Sequence, residues 1–446
     1  MKNLFFPYKI YIYMNKYTHE FHKFNNFIIL FNNSPDAKTI LVESYINNGA
    51  VDESEENLGI SHLLEHICTD GWSKCRNNCS DYWKKRGVIL NASTGQTYVN
   101  YFIKGLPEYL SEMVDYIVSI STTPIINSNR IKKEKKAVVN ELMIHAQHNQ
   151  LPLYNLLNQM LFSVPGLQKQ DDIKHQIDNL SKIQTPQLIK WSKKYYGSGN
   201  TIISITGNFN KSKIKKRIEN QLKKYTRYKT RPYYRNVFKA GLDVGYVKNT
   251  RIDNTTIFFA FHSPIFYKDL ETYYIDFFKE FINSGMTSIL MYELREKRDL
   301  IYNIQLDNYT TPYGTYLVIE TSCKNKNIEK TVKRTIKVLQ SLAEGGFSSK
   351  HMEYVRRAYL TKKLNECQNN DFISEFYGEQ YINQLFTLQN PLIIDPQKML
   401  DKVSKLTKPE FVGFIKKLLI FANVKIAYQG KREIKNLKNE VLKIIE

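Results

Sequence analysis

A short segment of this chain, His62-Leu63-Leu64-Glu65-His66, contains two histidines and a glutamate at a spacing that could do chemistry. In a helix, His62 and His66 lie on one face, so both imidazoles can reach one metal ion. Glu65 can place its carboxylate beside the same ion. Two imidazoles and a carboxylate base suit a zinc ion that activates water, and H-x-x-E-H is the inverted form of the H-E-x-x-H metal-binding helix. A surface helix with scattered histidines could have the same five residues, and a third ligand is still required.

A candidate third ligand lies on a second predicted helix, which runs from Ser128 to Glu141 and is rich in lysine. Glu134 and Glu141 are seven residues apart on it and therefore share one face. Either carboxylate could complete a tripod of two histidines and one glutamate with a fourth position open to water. Glutamates on a basic helix also form ordinary ion pairs. Spacing alone leaves the choice between the two open.

The composition is that of a folded protein with more than one domain. The chain has 446 residues, of which 42% are hydrophobic and 24% charged, which is enough for two full cores. It has no window of twenty uninterrupted apolar residues, so no membrane span is predicted. The stretch from Met1 to Ile10 resembles neither a secretion signal nor a transit peptide, and an intracellular, cytoplasmic location is expected.

The formal charge of +21 raises the question of nucleic-acid binding. The basic residues are spread along the chain, and no helix-turn-helix, zinc-finger or RNP-type signature accompanies them. The abundance of Lys, Asn, Ile and Tyr is typical of proteins encoded by A+T-rich genomes. We therefore interpret the charge as compositional and keep a basic nucleic-acid-associated protein only as an alternative.

The cysteines predict free thiols. There are five of them, an odd number at irregular spacing, which is a poor framework for disulfides. They are Cys68, Cys75, Cys79, Cys323 and Cys367.

An internal repeat divides the chain into two halves. At an offset of 223 residues the matching positions are Pro186 and Pro409, Lys193-Lys194 and Lys416-Lys417, Asn200 and Asn423, and Gly207 and Gly430. In both copies the proline begins an amphipathic helix, and a β-rich run, a glycine and a Lys-rich helix follow. We predict an α+β fold of two homologous domains, each an antiparallel-rich sheet with helices packed on one face. The predicted boundaries are 1–225, a linker at 226–239, and 240–446.

The second half keeps the helix of the first but not its metal-binding residues. At an offset of 226, His62, Glu65 and His66 are replaced by Ser288, Met291 and Tyr292. Serine, methionine and tyrosine do not provide the imidazole and carboxylate ligands of a zinc site. One zinc ion per chain is therefore expected.

Together these motifs resemble the family of pitrilysin, insulin-degrading enzyme and mitochondrial processing peptidase, which are zinc metallopeptidases. The family pattern is a G-x-x-H-x-x-E-H helix, a strand ending in N-A-x-T, and a helix with E-x6-E about 75 residues later. The residues that match it are Gly59, His62, Glu65, His66, Asn91-Ala92-Ser93-Thr94, Glu134 and Glu141. The resemblance implies that His62, His66 and Glu141 bind zinc, that Glu65 is the general base, and that Glu134 orients a ligand.

A further segment, from Leu294 to Tyr302, resembles the R-x6-Y segment of the same family. Arg295 and Tyr302 would then bind substrate and stabilise the negative charge that develops on the attacked carbonyl oxygen. The chain departs from the short family members by having Asp299 in place of a frequent glycine. It also has Val99 where a threonine is common.

The resemblance also implies a substrate and a quaternary arrangement. An extended peptide would add as a strand beside Asn91, Ala92, Ser93 and Thr94. The family encloses its substrate between four domains, so a two-domain chain is expected to form a homodimer, with Arg295 and Tyr302 reaching the partner's zinc. The leading prediction is a zinc metalloendopeptidase. The alternatives are a non-catalytic structural member of the same fold and the nucleic-acid-associated protein. His145, one turn after Glu141, is predicted to be an ordinary polar residue near the site.

Overall fold

The structure is a computed structural model that describes residues 17–75, 78–225, 231–269, 271–283, 285, 288–385 and 391–446. Residues 1–16, on which the prediction of an absent targeting segment was based, lie outside the described residues, as does the 226–230 part of the predicted linker. None of the helices in the described ranges is long and apolar enough to cross a membrane.

Eleven strands in the described part of the chain form two sheets. The strands are β1 (Thr18–Phe24), β2 (Phe27–Asn33), β3 (Ile40–Ile46), β4 (Ile89–Thr94), β5 (Val99–Gly105), β6 (Thr201–Gly207), β7 (Asp243–Lys248), β8 (Asn254–Ser263), β9 (Ile304–Thr311), β10 (Gly314–Lys324) and β11 (Lys425–Gly430). The first sheet has the order β1-β2-β6-β3-β5-β4 and the second the order β7-β11-β8-β10-β9.

The helices account for most of the remaining described residues. They are α1 (Ile60–Thr69), α2 (Cys79–Lys84), α3 (Leu110–Thr122), α4 (Ser128–His145), α5 (Leu151–Leu161), α6 (Pro165–Gln168), α7 (Ile173–Lys182), α8 (Thr185–Tyr195), α9 (Lys211–Leu222), α10 (Thr272–Asn283), α11 (Ile289–Met291), α12 (Ile328–Ala343), α13 (Ser349–Glu366), α14 (Asn370–Leu385), α15 (Pro396–Lys405), α16 (Lys408–Leu418) and α17 (Leu437–Ile445). A π-helical turn, Tyr292–Glu296, continues α11.

The two sheets share one topology, as the internal repeat predicts. In the first sheet β2 pairs in parallel with β6, which pairs antiparallel with β3, and β5 and β4 follow antiparallel. In the second sheet β7 pairs in parallel with β11, and β8, β10 and β9 follow antiparallel in the same way. Strand β1 extends the first sheet alone. The α+β fold of two homologous, antiparallel-rich sheets is confirmed.

Each sheet carries its main helices on one face. Helices α1, α3 and α9 contribute to the core of the first sheet, and α10, α12, α16 and α17 pack against the second. Strand β2 is buried at six of its seven positions because it is covered on both faces.

The other face of each sheet is covered by a helix from the opposite half, which the sequence did not predict. Helix α14 packs against β2, β3 and β6 of the first sheet, and α5 packs against β7, β8 and β11 of the second. Gly378 of α14 lies so close to the ring of Tyr45 that a Cβ atom there would collide with it. The exchange of these two helices fixes the halves to each other.

One cysteine prediction is wrong. Cys75 and Cys79 form a disulfide, with their Cα atoms 4.8 Å apart, whereas Cys68, Cys323 and Cys367 are free and buried as predicted. Cys75 ends a 3-10 turn (Ser73–Cys75), and Cys79 begins α2. An odd count of cysteines does not reveal such a local approach of two of them.

Candidate metal centre

Helices α1 and α4 bring the three predicted metal ligands together. The Nε2 atoms of His62 and His66 lie 3.7 Å and 3.4 Å from the same Oε2 atom of Glu141. One ligand atom from each residue can be chosen so that all three lie within 4.8 Å of one another. Because two imidazole nitrogens and one carboxylate oxygen are a donor set that zinc prefers, this group fits a zinc ion with one position open.

The two glutamates of α4 occupy different places around His66. Glu141 faces the Nε2 atoms of both histidines, whereas the Oε2 atom of buried Glu134 lies 3.6 Å from Nδ1 of His66, on the other side of the ring. Glu134 also lies 3.8 Å from Nη2 of buried Arg130, which pairs with Asp70 just after α1. Glu134 is therefore placed to orient an imidazole, and Glu141 to bind a metal.

The surroundings of the two histidines shift their pKa values in opposite directions. Burial, assisted by the neighbouring His66, lowers the pKa of His62 to about 4, so His62 is neutral at pH 7, the form that binds metal. Burial acts in the same direction on His66. There it is outweighed by the close contact with Glu134 and by the other nearby carboxylates, which raise the pKa of His66. The contact with His66, in turn, lowers the pKa of Glu134.

Glu65 lies in the same cleft and is only 7% exposed. Its Oε2 atom accepts a hydrogen bond of 3.3 Å from the hydroxyl of Thr94, at the end of β4. Burial raises the pKa of Glu65 to about 7. A carboxyl group whose pKa lies near neutrality can both accept and return a proton, which is the requirement for a general acid–base residue.

Glu53, which no sequence pattern singled out, holds the start of α1. The buried carboxylate of Glu53 accepts hydrogen bonds from the backbone N–H groups of Gly59 (2.8 Å) and Ser61 (2.9 Å). Gly59, with φ +84°, adopts a left-handed conformation that favours glycine. A carboxylate at a helix N-terminus also interacts favourably with the helix dipole. Capping rules examine the residues at the start of a helix, so a carboxylate six residues before Gly59 gives no such signal.

The predicted substrate strand lies beside the centre. Strand β4 is the last strand of its sheet, and Asn91, Ala92, Ser93 and Thr94 line a cleft of about 720 Å³ together with the metal-binding group. Its outer edge is not paired to another described strand, and such an edge can accept a further strand. The side chains of Asn91 and Ser93 are exposed.

Arg295 and Tyr302 do not line the cleft of their own chain, as far as its described residues define it. Nη1 of Arg295 donates a hydrogen bond of 3.1 Å to the carbonyl of Tyr302, whose side chain is 44% exposed. Asp299, between them, has a φ of +48°, which is why a glycine is suitable there. The structure therefore places the two residues next to each other on the surface and outside the lining of the cleft in the same chain.

His145 is outside the group of predicted metal ligands. Its Nε2 atom lies 3.7 Å from Oδ1 of Asp171, and the group that could hold a metal within the described ranges consists of His62, His66 and Glu141.

Comparison with known proteins places this geometry in a family. Residues 28–169 match the family model for the insulinase domain of peptidase family M16, and residues 182–359 match the model described as the M16 inactive domain. The chain belongs to the M16 peptidase family. The half that matches the inactive-domain model has Ser288, Met291 and Tyr292 in place of His62, Glu65 and His66.

Relatives and solved structures of this M16 protein agree with the assignment. An uncharacterized zinc protease of Bacillus subtilis, YmxG, is 23% identical over 335 residues, which cover 74% of this chain and 79% of the relative. A protease from Helicobacter pylori has a TM-score of 0.81 at 15% identity, covering 93% of this chain and all of that structure. An M16 inactive-domain structure from Pseudomonas fluorescens has a TM-score of 0.79 at 14% identity, with 93% and 98% covered. These structures show the fold.

Proposed function

We propose that this chain is a zinc metalloendopeptidase that hydrolyses peptide bonds in extended peptides or unfolded segments. The observation that carries the proposal is the convergence of His62, His66 and Glu141 beside the buried carboxylate of Glu65. Zinc bound by the two histidines and Glu141 would supply the Lewis acid for peptide hydrolysis, one ion per chain.

The residues of the chain provide the proton transfer. Glu65 accepts the proton of the attacking water at its carboxylate and then delivers it to the departing amine. Thr94 holds the Glu65 carboxylate from the strand that borders the cleft. Glu134 keeps the ring of His66 in a fixed orientation through its contact with Nδ1.

The edge of β4 is the proposed substrate-binding strand. A peptide that pairs with Asn91, Ala92, Ser93 and Thr94 gains main-chain hydrogen bonds, so affinity does not require a strict sequence. We further propose a homodimer in which Arg295 and Tyr302 of one protomer reach the cleft of its partner. This is supported by the exposure of both side chains and by their absence from the described lining of the cleft of their own chain. There, a guanidinium and a phenol would donate hydrogen bonds to the developing oxyanion.

Zinc content and peptide cleavage test the proposal. The native chain is expected to bind one equivalent of zinc and to cleave unfolded, fluorescein-labelled casein, with loss of activity in a chelator. Glu65→Gln keeps the shape of the side chain but removes the base, so it should retain zinc and lose activity. Glu56→Gln, an exposed glutamate on the preceding loop, is the matched control and should remain fully active.

Two outcomes would contradict the proposal. One is a native chain without stoichiometric zinc, and the other is a Glu65→Gln variant that cleaves as fast as the native chain. Zinc binding without cleavage would favour a non-catalytic structural member of the fold. Tight DNA binding with a steep salt dependence would favour the nucleic-acid-associated alternative.

A further inference from the structure

The turn that follows the proposed substrate strand is held against a segment that leads to the metal-binding helix. We call residues 95–98, between β4 and β5, the β4 turn, and residues 47–53, which precede α1, the entry loop. The backbone N–H groups of Ala50 and Val51 donate hydrogen bonds of 3.1 Å and 2.9 Å to the first two carbonyls of the β4 turn. The substrate strand and the metal-binding helix are therefore connected through these two segments.

The two segments approach each other so closely that their contact leaves room only for a glycine. A Cβ atom on Gly49, in the entry loop, would lie 2.6 Å from backbone atoms of Gly95 and Gln96, which is far inside the optimal separation of non-bonded atoms. Gly49 has a φ of −164°, an extended conformation that any residue adopts. The limited space, and not the backbone conformation, is therefore what requires glycine here.

A single guanidinium group from the predicted linker joins the same two segments. Nη1 of Arg231 donates a hydrogen bond of 2.7 Å to the carbonyl of Thr97, the third carbonyl of the β4 turn, and one of 2.6 Å to Oδ1 of Asn47. Nε of Arg231 donates to Oδ1 of Asp52 at 2.9 Å. The side chains of Arg231 and Asp52 are only 3% and 0% exposed. Three consecutive carbonyls of the turn thus have a donor, and the donor to the last of them comes from the linker.

Both of the joined segments lead directly to the candidate site. Asp52 is followed by Glu53, whose carboxylate accepts hydrogen bonds from the N–H groups at the start of α1. The β4 turn follows Thr94, whose hydroxyl donates a hydrogen bond to Glu65. Arg231 is absent from the described lining of the metal-binding cleft. Its influence on the chemistry therefore has to pass through the entry loop and the β4 turn.

We propose that Arg231 is a positioning residue that fixes the end of the substrate strand relative to the start of the metal-binding helix. The proposal rests on the proposed peptidase function and adds the linker to the parts of the chain on which catalysis depends. A guanidinium presents its donors in one rigid plane and meets three acceptors at once, whereas a lysine ammonium is a point charge on a flexible stem. Without the contact to Thr97, the turn and β4 are free to shift relative to Glu65 and the metal ligands. A misplacement of about 1 Å can reduce the rate of an enzyme about 100-fold.

Two substitutions around Asp52 separate positioning from stability. Arg231→Lys keeps a positive charge for Asp52 but loses the planar set of donors, so kcat for fluorescein-labelled casein should fall about 10–100-fold. KM and zinc affinity should stay close to the native values, because the edge of β4 and the three metal ligands are retained. Tyr234→Phe is the matched control. The hydroxyl of Tyr234 donates to the same Oδ1 atom of Asp52 at 3.1 Å, so its loss weakens the same cluster without removing the contact with Thr97, and kcat should be unchanged.

Hydrogen exchange provides a readout that does not depend on activity. With zinc added, backbone amides of residues 89–105 should exchange faster in Arg231→Lys than in the native chain or in Tyr234→Phe, as measured by mass spectrometry of proteolytic fragments. Gly49→Ala forces the entry loop and the β4 turn apart from the other side and should have the same effects on exchange and on kcat. If Arg231→Lys does not fold, the double variant Arg231→Gln/Asp52→Asn takes its place, because it removes both buried charges together.

The outcomes distinguish this proposal from the proposed function. A native kcat in Arg231→Lys would overturn it, and so would an equal loss in Tyr234→Phe, which would show that Arg231 only stabilises the surroundings of Asp52. A loss of bound zinc that matches the loss of kcat would also overturn it, because the variant would then lack metal and not alignment. If the native chain does not cleave casein, the peptidase proposal fails and the exchange measurement decides alone. Faster exchange of residues 89–105 in Arg231→Lys but not in Tyr234→Phe would then support the positioning role, and equal exchange would refute it.

Discussion

The contact between the halves makes stability depend on pH through one buried carboxyl group. Glu43 of β3 is 6% exposed and faces α14 of the opposite half. Its Oε2 atom accepts hydrogen bonds from the hydroxyl groups of Ser374, on α14, and Tyr45. Burial raises the pKa of Glu43 from 4.5 to about 7. Folding therefore favours the protonated form of Glu43, whereas the unfolded chain ionises it near pH 4.5.

The sign and size of the effect follow from this difference. The stability contributed by neutral Glu43 is fully present below pH 4.5 and is lost as the pH rises through about 7. A change from 4.5 to about 7 corresponds to about 3 kcal/mol, since one pKa unit is worth about 1.4 kcal/mol. Gln at this position resembles the protonated carboxyl and offers one oxygen to both hydroxyl donors. We expect Glu43→Gln to match the native chain near pH 4.5 and to exceed its stability by about 3 kcal/mol at pH 8.5.

Tryptophan fluorescence provides the assay, because all three tryptophans lie in the first half with Glu43: Trp72, Trp83 and Trp191. Urea unfolding is measured at several pH values with a chelator present, so that metal binding does not contribute. At high pH the thermal midpoint of the variant should be about 6–12 °C higher, at about 2–4 °C per kcal/mol. Other buried acids affect both chains alike, so the difference reports on Glu43. An equal pH dependence of native and variant chains would refute the reasoning.

Three further predictions concern the metal-binding helix and its surroundings. Glu134→Gln should weaken zinc binding about 10–100-fold, because the Nδ1 side of His66 loses its charged partner. Competition with a chromophoric chelator measures the zinc affinity, and an affinity equal to that of the native chain would contradict the prediction. Glu53→Ala leaves two buried N–H groups without an acceptor and should destabilise the first half by about 2–4 kcal/mol, whereas Glu53→Gln should lose less. Fluorescence-detected urea unfolding measures both, and equal midpoints for the native and alanine chains would show that the cap is dispensable. Replacing Cys75 and Cys79 by serine removes a cross-link that closes a loop of only a few residues, so the free energy of unfolding should fall by about 2 kcal/mol. The variant should therefore have a lower urea midpoint than the oxidised native chain, and an unchanged midpoint would be evidence against the cross-link.

Much of the fold could be predicted from local patterns. The spacing of the repeat anchors predicted a helix, a strand and a second helix near the end of each half, and the structure has them as α8, β6 and α9 and as α16, β11 and α17. Such signals are local, because hydrophobic periodicity and a proline at a helix start act within a few residues. The packing of α14 on the first sheet and of α5 on the second involves residues from about 80 to more than 300 positions apart in the sequence. Neither helix carries a sequence pattern that identifies the sheet against which it packs.

For the candidate site, the sequence by itself determined which residues could do the chemistry. His62, Glu65 and His66 share one short helix, so their relation follows from 3.6 residues per turn alone. Whether Glu134 or Glu141 faces the Nε2 atoms of both histidines could not follow from spacing, since seven residues place both glutamates on one face of α4. The packing of α4 against α1 decided it by placing Glu141 at the Nε2 atoms and Glu134 at the opposite nitrogen of His66.

The charge of the wall of a cavity between the two halves was decided by the tertiary structure alone. The sequence has a net charge of +21, and this total does not predict the charge of the wall of any one cavity. Folding brings carboxylates from both halves, among them Asp171 and Glu320, into one cavity from which the described lysines and arginines are absent. The net charge counts every charged residue of the chain, whereas the charges interact strongly only over a few ångströms. These carboxylates come that close to one another only when the two halves pack together.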